Sequence, residues 1–235
     1  MKNNLSKFAG FGLLLVMFCS PVLAGEITGR TAFTGVAPAP QKIDTNADPV
    51  CAGLHATEPL YVEDVVVNPN NTLRNVFVYV KSGLEGKIFE PVSQPAVLDQ
   101  KGCHYDPHVF GLQVNQPLDI VNSDTTLHNV HGMPTQSKEF NLGMPLQGMK
   151  LTRKFDKPEV MVKFKCDVHP WMHAYIGVLE HPFWGATGDD GTFTLKNLPA
   201  GTYTIEAWHE KYGTQTQSVT VDETGTATAD FTFTA

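Results

Sequence analysis

Threonines alternate with apolar residues along residues 192–234, and this period of two is what most constrains the fold of the chain. The runs TFTL, TYTIEAW, QSVTV and ADFTFT follow one another at short intervals, and Asp190-Gly191 is a typical hairpin turn. Such alternation indicates antiparallel strands with one solvated face and one buried face. The pattern of this carboxyl-terminal tail, residues 192–234, therefore predicts a small β-sandwich.

The rest of the chain also favours strands over helices. The runs EITGRTAFTG, LRNVFVYV, EVMVKFKC and AYIGVLE are rich in β-branched and aromatic residues, and no long segment has a helical period. In EVMVKFKC the alternation predicts that Val160, Val162 and Phe164 share one face. We predict an all-β protein.

Residues 1–24 have the layout of a secretory signal peptide. Lys2 and Lys7 form a basic start, an apolar run follows, and small residues allow cleavage after Ala24. Bulky residues precede Cys19, which disfavours a lipoprotein anchor. We therefore expect export to the periplasm and no membrane-spanning segment.

The charge of the chain limits its partners. The formal net charge of −7 becomes −9 when Lys2 and Lys7 leave with the signal peptide, and no basic block stands out. This composition argues against nucleic-acid binding and is compatible with a cationic protein partner such as a basic cytochrome.

A short loop gathers soft metal donors. Cys166, His169 and Met172 follow one another with two residues between each pair. A blue copper site takes two histidines, one cysteine and a distant methionine, so one histidine is missing from this loop. His128, which follows the turn VNSD, can supply it from a neighbouring strand. These four residues predict one copper ion in a type 1 site.

The two motifs HNVH and CDVHPWM resemble those of the cupredoxins, the plastocyanin and amicyanin group. YDPHVFGLQVNQPLDIVNSD also resembles the segment that precedes the first of these motifs, so the resemblance covers residues 96–180. It implies a Greek-key sandwich, ligands His128, Cys166, His169 and Met172, and a one-electron carrier whose partner is another redox protein. It also implies that Asn129 ties the two ligand segments together.

The tail is similar to carboxypeptidase regulatory-like modules, which are transthyretin-like or Ig-like sandwiches. We assign residues 181–235 to this module and residues 25–95 to an amino-terminal β segment, because ITGRTAFTG and LRNVFVYV resemble its first strands. The copper domain is then either inserted in this module or placed before it.

Three cysteines remain after export, and Cys166 is one of the predicted copper ligands. We predict a disulfide between Cys51 and Cys103, because an oxidising compartment favours pairing of the other two. The rival hypothesis places Cys103 with His104 and His108 in a second metal site.

Other candidate residues have less specific signals. His104 and His108 could join His131 or His173 around a second metal, although strand histidines are more often packed or exposed. Met133, Met144 and Met149 fit a copper-delivery patch less well than ordinary packing. His209, Glu210 and Lys211 are expected to be solvated in a turn.

The loop that contains Cys166, His169 and Met172 also predicts a route for electrons between the copper site and a partner. We expect the ring edge of His169 to reach the surface, with Pro170 and Trp171 as the docking surface. No hydrolase or phosphate-loop motif is present, so we expect a non-enzyme. The alternatives to a carrier are a periplasmic copper-handling protein and a scaffold without metal.

Overall fold

The computed structural model describes residues 24–235. The predicted signal peptide, with Cys19, lies almost wholly outside this range. Within it the protein is nearly all β, as predicted. In chain order the elements are β1 (Gly25–Thr34), α1 (Pro49–Leu54), β2 (Phe77–Ser82), β3 (Ala96–Lys101), β4 (His104–Asp106), β5 (Val109–Gln113), β6 (Leu118–Asn122), β7 (His128–Met133), β8 (Phe140–Met144), β9 (Lys150–Arg153), β10 (Glu159–Lys165), β11 (His173–Leu179), β12 (Trp184–Ala186), β13 (Thr192–Leu198), β14 (Gly201–His209), β15 (Gly213–Val221), β16 (Thr226–Thr228) and β17 (Phe231–Thr234). No helix of the described range is both long and apolar enough to cross a bilayer.

Strands β3 to β11 form the sandwich that we call the central sandwich. One sheet has the order β5-β11-β10-β7-β8 and the other β4-β3-β6-β9. Strands β5 and β11 pair in parallel, as do β3 and β6, and the remaining pairs are antiparallel. Its core includes Tyr105, Phe155, Phe164 and Ile176, all at most 1% exposed.

The remaining strands form the terminal sandwich, which draws on both ends of the chain. One sheet has the order β13-β1-β16, with β17 also paired to β1, and the other β12-β2-β14-β15. The threonine alternation is seen directly, since Phe231 and Phe233 are buried and the threonines that follow them are exposed. Strands β1 and β2 precede the central sandwich in sequence and pair with strands that follow it.

Aromatic rings of the terminal sandwich pack on glycines of the central one. The rings of Phe77 and Trp184 stack with centroids 5.8 Å apart. A Cβ atom at Gly177 would lie 2.3 Å from the Phe77 ring, and one at Gly111 would lie 2.6 Å from the Trp184 ring. The two sandwiches are therefore in direct contact along β11 and β5.

The connection between β1 and β2 lies over one end of the central sandwich. It contains α1, which Asp48 caps by accepting hydrogen bonds from the amides of Val50 and Cys51. A disulfide between Cys51 and Cys103 fastens this connection to the β3–β4 turn, with Cα atoms 5.8 Å apart. The predicted pairing is present, and Cys166 remains a free thiol.

Candidate metal centre

The four predicted copper ligands come from neighbouring strand ends of one sheet. His128 begins β7, while Cys166, His169 and Met172 lie in the loop between β10 and β11. Strand β10 pairs with both β7 and β11, which places the loop beside His128. Backbone hydrogen bonds from Cys166 N to Met172 O and from Met172 N to His169 O close the loop into a fixed shape.

The donor atoms converge in a buried position. The Nδ1 atoms of His128 and His169 are 2.9 Å apart, and Cys166 Sγ is 3.9 Å from His169 Nδ1. All four ligand residues are at most 2% exposed. Because metal–nitrogen bonds are about 2.0 Å and metal–sulfur bonds about 2.3 Å, these separations fit donors around one ion. The four residues therefore match a copper site in type, and His128, Cys166 and His169 also match it in spacing.

Two carboxylates hold the histidines in the ligating orientation. His128 Nε2 is 2.9 Å from Asp124 Oδ2, and His169 Nε2 is 3.1 Å from Asp48 Oδ2. A carboxylate accepts the Nε2 proton, so the Nδ1 atoms are left to face each other and the thiol. This is the arrangement in which an outer carboxylate fixes the tautomer of a metal-binding histidine.

Hydrogen bonds keep both carboxylates ionised. Burial raises the pKa of Asp48, but bonds from Thr126, His169 and two backbone amides lower it to about 2. Burial also raises the pKa of Asp124, but hydrogen bonds from His128 and from the amides of Gly102 and Cys103 lower it below its usual value. Neither residue was predicted from the sequence. The VNSD turn before His128 was a usable signal for Asp124, whereas nothing local links Asp48 to His169.

The surroundings of the Cys166 thiol favour its ionisation to a thiolate. Burial alone would raise the pKa of Cys166, but hydrogen bonds with His128 and His169 lower it to about 6. The pKa of His128 rises to about 9, because its bonds to Asp124 and Cys166 outweigh the effect of burial. A thiolate is the form that binds a metal.

Asn129 connects the two ligand segments. Its Oδ1 accepts hydrogen bonds from the amides of Asp167 and Val168, at 2.6 and 3.2 Å, and from Cys166 Sγ at 3.3 Å. Its Nδ2 donates to Asn141 Oδ1 at 2.7 Å. One side chain thus holds the ligand loop against β7 and β8.

The expectation that the ring edge of His169 reaches the surface is wrong. His169 is 2% exposed, because Asp48 and the Cys51–Cys103 disulfide lie over its outer edge. Trp171 is half-buried, donates its Nε1–H to Cys103 O, and has its ring 5.0 Å from that of His169. Pro170 is exposed beside it.

The other candidate histidines separate into different places. His104 contacts the Gly102 carbonyl, and His131 contacts Glu139 and Asp167 at the surface. His108 and His173 do come together, with rings 4.9 Å apart, and they meet Glu210. Residues Cys51 and Cys103 occur in two further groups of possible metal donors, but their disulfide removes the thiolates.

The expectation that His209 and Glu210 are solvated is wrong. His209 is 1% exposed and the Glu210 side chain 7%, because the turn after β14 packs against the central sandwich; only the side chain of Lys211 is largely exposed. Of the methionines named as a delivery patch, Met144 is fully buried in the central core while Met133 is partly exposed.

Three similar solved structures each match part of this chain. A purple cupredoxin from Nitrosopumilus maritimus is 22% identical, and the match covers 35% of this chain and 98% of that one, with a TM-score of 0.30. An amicyanin mutant with Cu(I) is 20% identical over 38% of this chain and 86% of that one, with a TM-score of 0.33. A Cu-containing nitrite reductase from Thermus scotoductus is 17% identical over 65% of this chain and 28% of that one, with a TM-score of 0.34.

Because these TM-scores are below 0.5, the assignment of a metal to this site rests on the donor geometry. No curated protein matches the chain. Residues 178–234 match the model of the carboxypeptidase regulatory-like domain, which confirms the resemblance of the carboxyl-terminal strands to that family.

Proposed function

We propose that this protein is an exported type 1 copper protein that carries single electrons for another redox protein. One copper ion per chain would be bound by His128, Cys166, His169 and Met172 and would alternate between Cu(I) and Cu(II). The observation that supports this most strongly is the buried donor set, in which carboxylates orient both imidazoles and Asn129 bonds to the thiol.

The protein's contribution is to keep this geometry fixed while charge changes. The short loop is closed by backbone bonds at both of its ends, and His128 is held by Asp124 from four residues earlier. A preformed site needs little rearrangement when an electron arrives or leaves. Electron exchange is therefore favoured over rapid release of the ion.

Because the ring edge of His169 is covered, we place the exit route for electrons at the neighbouring ring of Trp171. The ring of Trp171 is partly exposed, lies 5.0 Å from that of His169 and, with the exposed Pro170, offers an apolar contact next to the site. We place the docking surface for a redox partner here. The periplasmic location belongs to the same proposal, since the signal-like sequence and the disulfide both fit an oxidising compartment.

The visible spectrum tests the proposal directly. Full-length protein loaded with Cu(II) should show an intense thiolate-to-copper band that ascorbate bleaches and an oxidant restores. Cys166→Ser should abolish this band, whereas the control His104→Gln, outside the site, should keep it. A band that survives Cys166→Ser would refute the ligand assignment. Loss of Cu(I) to a chelator within seconds would favour copper handling instead.

A further inference from the structure

A second group of metal-binding side chains lies where the two sandwiches meet. We call His108, His173, Glu210 and Asp64 the interface cluster. His108 precedes β5, His173 begins β11, Glu210 follows β14 of the terminal sandwich, and Asp64 belongs to the connection between β1 and β2. The two histidines and Glu210 place one donor atom each within 4.8 Å of the others.

Both histidines turn the same nitrogen toward the carboxylates. His108 Nε2 is 2.7 Å from Glu210 Oε1, and His173 Nε2 is 3.3 Å from Glu210 Oε2 and 3.2 Å from Asp64 Oδ1. The contact between His108 and Glu210 is shielded, since their side chains are 3% and 7% exposed, whereas those of His173 and Asp64 are 18% and 26% exposed.

The outer nitrogens fix the tautomers. His108 Nδ1 is 3.1 Å from the His173 carbonyl, and His173 Nδ1 is 3.2 Å from the Trp171 carbonyl. A carbonyl oxygen only accepts, so each Nδ1 must carry its proton. Each Nε2 then faces a carboxylate and leaves a position for one positive charge, which a proton fills in the metal-free protein and a metal ion can fill in its place.

The carboxylates supply the compensating negative charge. Each oxygen of the Glu210 carboxylate faces one histidine Nε2. Asp64 contacts Lys211 Nζ at 2.7 Å, and Glu63 lies 3.9 Å from His108. Lys211 offsets one of these three acids. Two positive charges are needed for the other two.

We propose that the interface cluster is a second metal site that binds a divalent cation of the Zn²⁺ type through His108 Nε2, His173 Nε2, Glu210 and Asp64. A single dication meets the two-charge requirement, and backbone carbonyls already orient both histidines as in metal sites. The donors include no sulfur, so this site selects a divalent ion and not the Cu(I) that suits a cysteine and methionine site.

The spacing fits such an ion after a small opening. Donors of a tetrahedral Zn²⁺ site lie about 2.0–2.1 Å from the ion and hence roughly 3.3 Å from each other. The Nε2–carboxylate separations of 2.7 to 3.3 Å need an expansion of about half an ångström. A cavity of about 10 Å³, lined by Glu63, His108 and His173, lies beside the cluster and offers a position for solvent.

Binding at this site would tie three parts of the chain together. Its ligands come from the central sandwich, the terminal sandwich and the connection between β1 and β2. His173 also directly follows the proposed copper ligand Met172. An ion here would strengthen the contact between the sandwiches and hold the base of the ligand loop.

The rival explanation is an ion-pair network in which both histidines keep their Nε2 protons and no metal binds. A titration of copper-loaded, full-length protein with Zn²⁺ at neutral pH separates the two. We expect one Zn²⁺ per chain with micromolar or tighter affinity, release of protons, and an unchanged visible copper band. Co²⁺ in place of Zn²⁺ should give weak ligand-field bands without a new thiolate band.

Matched substitutions locate the ion. Glu210→Gln keeps the size of the side chain and should weaken Zn²⁺ binding at least about 100-fold. Glu139→Gln is the control, because Glu139 pairs with His131 at the surface with the same 2.7 Å contact. Equal Zn²⁺ affinity of both variants, or no binding below millimolar Zn²⁺, would overturn the proposal. A thiolate band with Co²⁺ would do so too, because it would place the ion at Cys166.

The two proposals fail separately. The copper band reports the first site, and the effect of Glu210→Gln on Zn²⁺ affinity reports the second. Should the protein load no copper, Co²⁺ still distinguishes a cysteine-containing site from one with only nitrogen and oxygen donors.

Discussion

The candidate copper site and the interface cluster each contain two histidines, but the histidines turn opposite ring nitrogens inward. In the copper site the Nδ1 atoms converge and carboxylates bind the Nε2 atoms from outside. In the interface cluster the Nε2 atoms converge and backbone carbonyls bind the Nδ1 atoms. The outer partner therefore decides which nitrogen is available, and the inner partners decide which metal fits.

The two sites also depend on different contacts. The candidate copper donors belong to adjacent strand ends of one sheet of the central sandwich, and Asp48 from the connection between β1 and β2 orients His169. The interface cluster needs Glu210 from the terminal sandwich and Asp64 from the connection between β1 and β2. Substitutions that disturb the contact between the two sandwiches should therefore weaken the interface cluster and leave the copper site intact.

Removing the disulfide should have the largest effect and should act on the copper side. In the double variant Cys51→Ala, Cys103→Ala, the closed loop of 52 residues is lost, which costs about 4 kcal/mol of unfolding free energy on the chain-entropy model. Urea unfolding of the copper-free protein measures this loss. We also expect an altered copper band, because Asp48 would no longer be fastened over His169.

The disulfide prediction has a direct chemical check. Proteolysis without reductant should yield a linked peptide containing Cys51 and Cys103, two hydrogens lighter than the separate peptides. Three free thiols, or a bond to Cys166, would contradict it. Unchanged stability of the double variant would show that the connection is held by other contacts.

Gly177→Ala should have the opposite selectivity, since it should weaken the interface cluster and spare the copper site. The new Cβ would lie 2.3 Å from the ring of Phe77, which is fully buried and stacked on Trp184. Overpacking of this kind costs about 1–3 kcal/mol. We expect lower thermal stability and weaker Zn²⁺ binding, with the copper band preserved.

Gly143→Ala is the matched control for this substitution. Gly143 also lies in a strand of the central sandwich, and a Cβ there meets no atom within 4 Å. It should change neither stability nor metal binding by a comparable amount. Loss of the copper band in Gly177→Ala would mean that the copper site also depends on the contact between the sandwiches.

The grouping of His128 with Cys166 and His169 was predictable from sequence because two of them share one short loop. Residue types and spacing are enough when a single loop supplies most of a site. The interface cluster has no such signal, since its members lie at positions 64, 108, 173 and 210 and only the packing of two sandwiches brings them together. The burial of Glu210 and His209 has the same cause.

The strands were predictable in kind but not in every register. Val160 was expected to share a face with Val162 and Phe164, yet it is 40% exposed while the other two are buried. Met161 has a φ of 63° and the pairing of β10 with β11 shifts there. An irregularity of this kind reverses the side-chain alternation, and nothing in the run EVMV indicates it.

Trp171→Glu tests electron exchange at the copper site with a smaller structural effect. The substitution removes the hydrogen bond to Cys103 O, worth about 1 kcal/mol, and puts a negative charge beside the ring of His169. We expect the copper band to remain and electron transfer to a c-type cytochrome, measured by stopped-flow, to slow about tenfold. Trp171→Phe should retain most of the rate. Loss of the band without a specific rate effect would assign Trp171 to packing.

The smallest predicted effect concerns a histidine that has no carboxylate partner. His181 accepts a hydrogen bond from the amide of Phe183 through Nδ1 and donates one to the Val80 carbonyl through Nε2. Both bonds suit the neutral ring, and burial lowers its pKa although the bond to Val80 opposes this. It thus contrasts with the histidines of both sites, which face carboxylates.

The sign of its pH effect follows from this lowered pKa. The unfolded chain takes up a proton near the usual value of about 6.5, while the folded protein resists protonation. His181 therefore contributes stability that is fully present above this pH and is lost as the pH falls toward the folded pKa. One proton gives a slope of at most about 1.4 kcal/mol per pH unit. Between about pH 6.5 and 5, His181→Gln should flatten the pH dependence of the urea midpoint. A slope equal to that of the unaltered protein would assign the loss to His209, whose pKa burial lowers to about 4.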